Sequence, residues 1–138
     1  LHVVGSEIQQ ASGASGFKQN FIMRETLTPS ATKTWTFTRA GGDSNVACMI
    51  EVRQFGYGYS DDGDCGYRIY RGFVDDNEMN VGLIESSATG AFINTSTTTF
   101  ARTSGTVWTI TLTRGSLYGN FVMVQEVELL GFNNFVVT

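Results

Sequence analysis

The sequence predicts an all-β domain, an antiparallel β-sandwich or jelly roll, and three observations support this class. Apolar and polar residues alternate with a period of two in several segments. No segment places apolar residues at the i, i+3, i+4 and i+7 positions that an amphipathic helix needs. The apolar segments are short and are separated by Gly, Ser, Thr and Asn, and the chain has 16 glycines but a single proline. This composition suits strands joined by turns.

The first two predicted strands cover residues 17–27 and 33–39. In the first, Phe21, Met23 and Leu27 share one side, with Glu25 as an exception. In the second, Trp35 and Phe37 alternate with threonines, so one face is apolar and the other is predicted to be exposed to solvent.

A turn cluster at residues 41–45 then precedes an alternating segment over residues 46–53, so a hairpin is predicted between residues 33–39 and 46–53. Further strands are predicted at residues 67–74, 80–85, 91–95 and 98–103. Trp108, Ile110 and Leu112 form one face of the next strand, and residues 114–116 are predicted to reverse the chain into a closing strand at residues 121–130. These last two strands are the second predicted hairpin.

The length of 138 residues predicts one domain, over residues 17–138. Residues 10–16, QASGASG, are small and polar, as in flexible linkers, so residues 1–16 are expected to connect the domain to an upstream segment. No apolar run reaches the roughly 18 to 20 residues of a membrane span, and no membrane insertion is expected.

Charge and composition also limit the chemistry. The chain has 9 Lys and Arg against 13 Asp and Glu, a net charge of −4, and no basic tract, so nucleic acid is not an expected partner. His2 is the only histidine, which argues against a Ser-His-Asp triad and against a transition-metal site. No carboxylates are paired by the pattern as glycoside cleavage requires, so no enzyme activity and no cofactor are expected.

The acidic segment Ser60-Asp61-Asp62-Gly63-Asp64 has two interpretations. A solvated turn is favoured over a calcium site, because the order of residues does not match the spaced ligands of an EF-hand loop. A second acidic cluster, residues 75–78, follows a predicted strand that would hold the two clusters about 30 Å apart. A joint site is therefore not expected, and no metal site is assigned.

Cys48 and Cys65 are the only cysteines, and they lack metal-ligand spacing. Cys48 lies on the apolar face of its predicted strand, where an unpaired thiol behaves as a small hydrophobe. Two free thiols are favoured, although a disulfide between two flanking hairpin strands stays open.

The main candidate for binding is a tract of aromatic residues, glycines and carboxylates. Tyrosines spaced by two on a strand share a face, where their rings can stack on sugar rings while carboxylates accept hydrogen bonds from hydroxyl groups. Arginines add donors for acidic sugars. The alternative is that these rings are core or subunit contacts. The candidate saccharide-binding residues are Tyr57, Tyr59, Asp61, Asp62, Asp64, Tyr67 and Arg68.

The segments KTWTFTR and TVWTITLTR, the Gly/Asn turns and the closing strand FVMVQEVELLG resemble the receptor-binding or C-terminal domains of tailed-phage tail fibres and tailspikes. The resemblance covers residues 33–131 and implies a homotrimer on the virion tail that attaches to a cell-surface glycan or protein. It also implies that residues 1–16 connect to an upstream shaft. Independently, the number of bulky apolar residues exceeds what two inward faces need, which favours packing against another copy.

The expected function is therefore receptor binding without catalysis, by a homotrimer that recognises cell-surface saccharide. Two alternatives stay open. One is a monomeric carbohydrate-binding module of a larger secreted enzyme, and the other is a structural trimerisation or capping domain without a ligand.

Overall fold

The computed structural model is a sandwich of two antiparallel β-sheets, which confirms the predicted fold class. It describes residues 3–10 as backbone, and residues 16–58, 65–88, 96–115 and 121–138 with their side chains. Within these ranges there is no helix, and so none long and apolar enough to cross a membrane. The strands are β1 (Val3–Gln10), β2 (Phe17–Leu27), β3 (Thr32–Gly42), β4 (Ala47–Gly58), β5 (Cys65–Asp75), β6 (Met79–Ala88), β7 (Ser96–Ser104), β8 (Val107–Arg114), β9 (Phe121–Gly131) and β10 (Asn133–Val137).

The two sheets differ in size. The large sheet has six strands in the order β1-β2-β9-β4-β5-β6, and the small sheet has four in the order β10-β3-β8-β7. Strand β1 pairs with β2 at the edge of the large sheet, so residues 3–10 of the predicted lead-in belong to the sheet.

The predicted hairpin between residues 33–39 and 46–53 is wrong. Strand β3 pairs with β8 and β10 in the small sheet, whereas β4 pairs with β5 and β9 in the large sheet. The chain crosses between the sheets at residues 43–46, where Asn133 holds the crossing segment. Its side chain accepts a hydrogen bond from the Ala47 amide at 2.9 Å and donates to the carbonyls of Asp43 at 2.7 Å and Asn45 at 3.1 Å. The turn residues had marked a change of direction but not which sheet the next strand would join.

The second predicted hairpin is wrong for the same reason. Strand β8 lies between β3 and β7 in the small sheet, and β9 lies between β2 and β4 in the large sheet. Both strands have one apolar face, and the sandwich buries these faces against each other instead of aligning them side by side. Amphipathic alternation fits either arrangement, so local sequence could not distinguish them.

Stacked aromatic rings fill the space between the sheets. The rings of Phe37 and Trp108, on neighbouring strands, are parallel with centroids 3.9 Å apart. Phe21 from the large sheet meets Phe37 edge-on at 5.5 Å, and Phe135 meets Trp108 edge-on at 5.7 Å. All four rings are almost fully buried, and such large side chains dominate the energetics of a core.

The two ends of the sandwich are called the loop end and the turn end. At the loop end, β4 ends at Gly58, β5 begins at Cys65, and β9 begins at Phe121. At the turn end, residues 42–46 and 75–79 and residues 131–133 connect strands. There the Asp75 carboxylate accepts hydrogen bonds from the amides of Asn77 at 2.7 Å and Glu78 at 2.8 Å, which turns the chain from β5 into β6.

Two glycines on β5 and β6 provide a matched test of this strand pair. A Cβ at Gly72 would lie 1.8 Å from the Asn80 carbonyl oxygen, whereas a Cβ at Gly82 would meet nothing within 4 Å. We expect Gly72→Ala to lower the free energy of unfolding by about 1–3 kcal/mol through the forced separation of the two backbones. Gly82→Ala should change it by less than about 0.5 kcal/mol. Urea denaturation measures both, and equal effects would contradict the close approach.

Candidate functional site

The candidate site lies on the outer sheet face, defined as the side of the large sheet that points away from the small sheet. Seven large apolar side chains on this face are each 38–49% exposed: Ile22, Met49, Phe55, Tyr57, Phe73, Val124 and Leu130. Exposed groups of large apolar side chains are uncommon on soluble domains and mark contact sites.

Strand register arranges the outer sheet face in rows that run across β9, β4 and β5. From the turn end to the loop end, the rows are Leu130-Met49-Phe73, Glu128-Glu51-Arg71, Glu126-Arg53-Ile69 and Val124-Phe55-Tyr67, and Tyr57 and Cys65 then follow on β4 and β5. The first row is apolar, the next two carry the charges, and the fourth is again apolar and aromatic. We call them the turn-end row, the two charged rows and the aromatic row.

Ion pairs join the side chains of the charged rows across neighbouring strands. Arg71 donates to one carboxylate oxygen of Glu51 through Nε at 3.0 Å and Nη2 at 2.8 Å. Arg53 pairs with Glu126 on the neighbouring strand. Because these side chains are 27–55% exposed, each pair adds little stability. Their consequence is positional, since the pairs fix the charged groups between the two apolar rows.

Tyr57 and Tyr67 are brought together at the loop end of the outer sheet face. Tyr67 lies directly opposite Phe55 in the register, and Tyr57 lies opposite Cys65, so the two tyrosines are diagonal neighbours. The Tyr67 hydroxyl donates a hydrogen bond of 2.6 Å to Glu85 on the edge strand β6. This bond, with the nearby negative charge, raises the pKa of Tyr67, because ionising the phenol would break the bond.

A depression of about 380 Å³ opens on the outer sheet face between the aromatic row and the charged row next to it. Apolar side chains from four neighbouring strands form much of its lining, and Arg53 and Glu126 form an ion pair at its wall. Such a mixture of apolar surface with few polar groups is typical of contact sites. The apolar lining residues are Ile22, Phe55, Ile69 and Val124, beside Tyr67.

Arg68 borders the depression together with Tyr67, but its side chain lies on the opposite face of β5. Adjacent residues on a strand point to opposite faces, and the Arg68 side chain enters the space between the sheets, where its Nη1 donates to the Ser96 hydroxyl at 3.1 Å. The other four candidate residues, Tyr59, Asp61, Asp62 and Asp64, lie outside the described residues.

Sequence reasoning missed a polar network between the sheets near Arg68. Thr98 donates to the side-chain oxygen of Gln54 at 3.0 Å, and Gln54 donates to Gln125 at 2.7 Å. Both glutamines are buried. The signal was present, because Gln54 and Gln125 occupy the inward positions of otherwise apolar alternating strands. A buried polar side chain at such a position requires a partner across the core.

In the acidic cluster at residues 75–78, the carboxylates of Asp75 and Asp76 accept hydrogen bonds from backbone amides. The amides of Asn77 and Glu78 lower the pKa of Asp75 by stabilising its charged form. The Asp76 carboxylate accepts a hydrogen bond of 2.6 Å from the Val46 amide. Among the side chains that the structure describes, no group of three potential metal ligands comes together.

Neither Cys48 nor Cys65 forms a disulfide, which confirms the favoured prediction. Cys48 lies on the buried face at the turn end, and Cys65 lies opposite Tyr57 at the loop end. Nine residues of β4 separate the two positions, about 30 Å along the strand, so a disulfide cannot join them. Burial raises the pKa of Cys48 to about 12, which leaves this thiol unreactive at neutral pH.

The pairing of Tyr67 with Glu85 predicts a shift in phenol titration. Glu85→Gln removes the negative acceptor, so the Tyr67 phenol should ionise at lower pH than in the unchanged protein. Alkaline titration followed by phenolate absorbance measures the shift, and Tyr67→Phe identifies the affected step by removing it. The pairing is contradicted if Glu85→Gln leaves every tyrosine titration unchanged.

Comparisons with known proteins show limited similarity. No protein-family model and no curated protein matches this chain. Among solved structures, the tailspike protein of an Acinetobacter phage is similar, with 13% sequence identity and a TM-score of 0.39. The similarity covers 96% of this chain and 22% of that chain, so this chain spans about a fifth of the tailspike's length.

Proposed function

We propose that this chain is a recognition domain of a phage tail fibre or tailspike, which binds a host cell-surface saccharide as part of a homotrimer on the virion tail. The single observation that carries the saccharide proposal is the pair of tyrosines at the loop end of the outer sheet face. Tyr57 is 41% exposed, and Tyr67 presents its ring beside it with the hydroxyl fixed by Glu85.

The geometry of this pair fits a sugar ligand. Aromatic rings on a rigid strand offer flat apolar surface for the CH face of a sugar at little cost in conformational entropy. Glu85 and the paired Arg53 and Glu126 lie within the neighbouring strands and supply acceptors and donors for hydroxyl groups. Rings and hydrogen-bonding groups therefore occur on the same exposed surface, as sugar binding requires.

The proposed role is binding without catalysis. Glycoside cleavage needs one carboxyl group that stays protonated at neutral pH because it is buried in apolar surroundings. On the outer sheet face, Glu51 and Glu126 are partly exposed and paired with arginines. Neither carboxylate has the apolar surroundings that an acid catalyst needs, which supports a binding site.

A structural trimerisation or capping domain is the second candidate, and the apolar turn-end row favours it. That function would need the outer sheet face for contacts between copies but would not need the tyrosines. A carbohydrate-binding module of a larger enzyme would need the tyrosines but not the homotrimer. The two requirements can be tested separately.

The saccharide proposal predicts that Tyr57→Ala and Tyr67→Ala each weaken binding to host cells or their purified surface polysaccharide about 3- to 10-fold. This is the loss expected for removing one aromatic contact of about 0.5–1.5 kcal/mol. Phe132→Ala is the matched control, because Phe132 is 54% exposed at the turn end. Cell adsorption and isothermal calorimetry measure the effect. Unchanged binding in both tyrosine variants, or an equal loss in the control, would remove the tyrosines from the site.

A further inference from the structure

We infer that copies of this chain associate through the outer sheet face, about a rotation axis that runs parallel to its strands. The inference rests on the homotrimer proposed above and names the surface through which the copies would meet. The occupant of the face is a second copy of this chain.

The two outward faces of the sandwich differ sharply in chemistry. The small sheet presents threonines to solvent, with hydroxyl pairs such as Thr34 and Thr111 at 3.0 Å. The large sheet instead presents half-exposed Met49, Phe73 and Leu130 in one row. If both faces were exposed to water, both would be expected to be polar. The contrast therefore indicates that the large sheet's face is covered when the protein is assembled.

The distribution of charge selects the direction of the axis. Strand β9 contributes only acidic groups to the charged rows, Glu126 and Glu128, whereas β4 contributes Glu51 and Arg53 and β5 contributes Arg71. An axis across the strands would place β9 against β9 of the next copy, with acid facing acid. An axis parallel to the strands places β9 against β4 and β5, so that Glu126 faces Arg53 of the next copy and Glu128 faces the ion pair of Glu51 and Arg71.

The same axis keeps the apolar rows in contact. Rotation about a line parallel to the strands leaves every residue at its height along the sheet, so each row meets the same row of the next copy. Leu130 then faces Met49 of the next copy, and Val124 faces Phe55. The charged rows lie between these two apolar layers, where Glu126 of one copy faces Arg53 of the other.

The dimensions of the face suit such a contact. Four rows at about 6.7 Å and the five strands β2, β9, β4, β5 and β6 at about 4.8 Å give roughly 640 Å² per copy. Specific interfaces bury about 800 Å² from each partner. The depression of about 380 Å³ lies within this area and offers space for an apolar side chain of the next copy. Tyr57 lies beyond the four rows at the loop end, so the contact leaves it open, whereas Tyr67 lies in the fourth row, where the contact and the sugar site overlap.

The test measures mass in solution by sedimentation velocity or light scattering up to about 1 mM protein. The unchanged chain of 15.1 kDa should sediment as a multiple of that mass. Met49→Glu and Val124→Glu should each raise the dissociation constant at least 10-fold by placing a charge in an apolar layer. Val136→Glu is the matched control, because Val136 is 54% exposed on the small sheet, and it should leave the mass unchanged. Far-ultraviolet circular dichroism and a thermal melt establish that each variant is folded.

A charge exchange tests the axis itself. Arg53→Glu and Glu126→Arg singly oppose like charges within and between copies, and each should weaken association. Both changes together restore the opposite charges at positions 53 and 126, within and between copies, and should recover association to within about 3-fold. The inference is overturned if the unchanged protein has the mass of a single chain at every concentration. It is also overturned if Val136→Glu weakens association as much as Met49→Glu does, or if the double variant does not regain association. Saccharide binding is measured independently, so a monomer that still binds sugar through Tyr57 and Tyr67 overturns this inference while retaining that site.

Discussion

The burial of aromatic side chains between two sheets is the constraint on which the rest of the structure depends. Trp35, Phe37 and Trp108 are fully or almost fully buried, and they occupy alternate positions on strands whose intervening residues are threonines. Since each sheet has one face that must leave water, neither sheet is stable alone. Pairing these faces fixes the layer to which every strand belongs, and it thereby decides where the opposite faces point.

The outer faces acquire their different chemistry from this arrangement. Threonines cover the small sheet, and their hydroxyl groups are hydrogen-bonded or wet. The large sheet carries apolar rows on either side of ion pairs, and at its loop end it carries Tyr57 and Tyr67. Its face thus combines a broad apolar area, suited to contact between copies, with aromatic rings at one margin, suited to sugar. The two regions overlap at Tyr67, which lies in the aromatic row.

Much of the strand content could be predicted, but the pairing of strands could not. The alternation in residues 33–39 and 46–53 marks two strands, and both exist. Their predicted hairpin fails because the crossing at residues 43–46 is held by Asn133, about 90 residues later in the chain. Likewise, tyrosines spaced along β4 and β5 identify a shared face, whereas Arg68 occupies the opposite face because it follows Tyr67 by one residue. That separation was accessible from the period of two alone.

By itself, the sequence determined the fold class and eight of the ten described strands, because period-two alternation is a local property of the chain. Strands β1 and β10 were not predicted, and the predicted strand at residues 91–95 lies outside the described residues. The sequence also predicted more bulky apolar residues than two inward faces need. The tertiary structure alone decided which strands are neighbours, that Phe55 lies beside Tyr67 and Val124, and that Glu126 meets Arg53. These contacts join residues distant in sequence, and their register is fixed by packing across the whole sandwich, which no local pattern specifies.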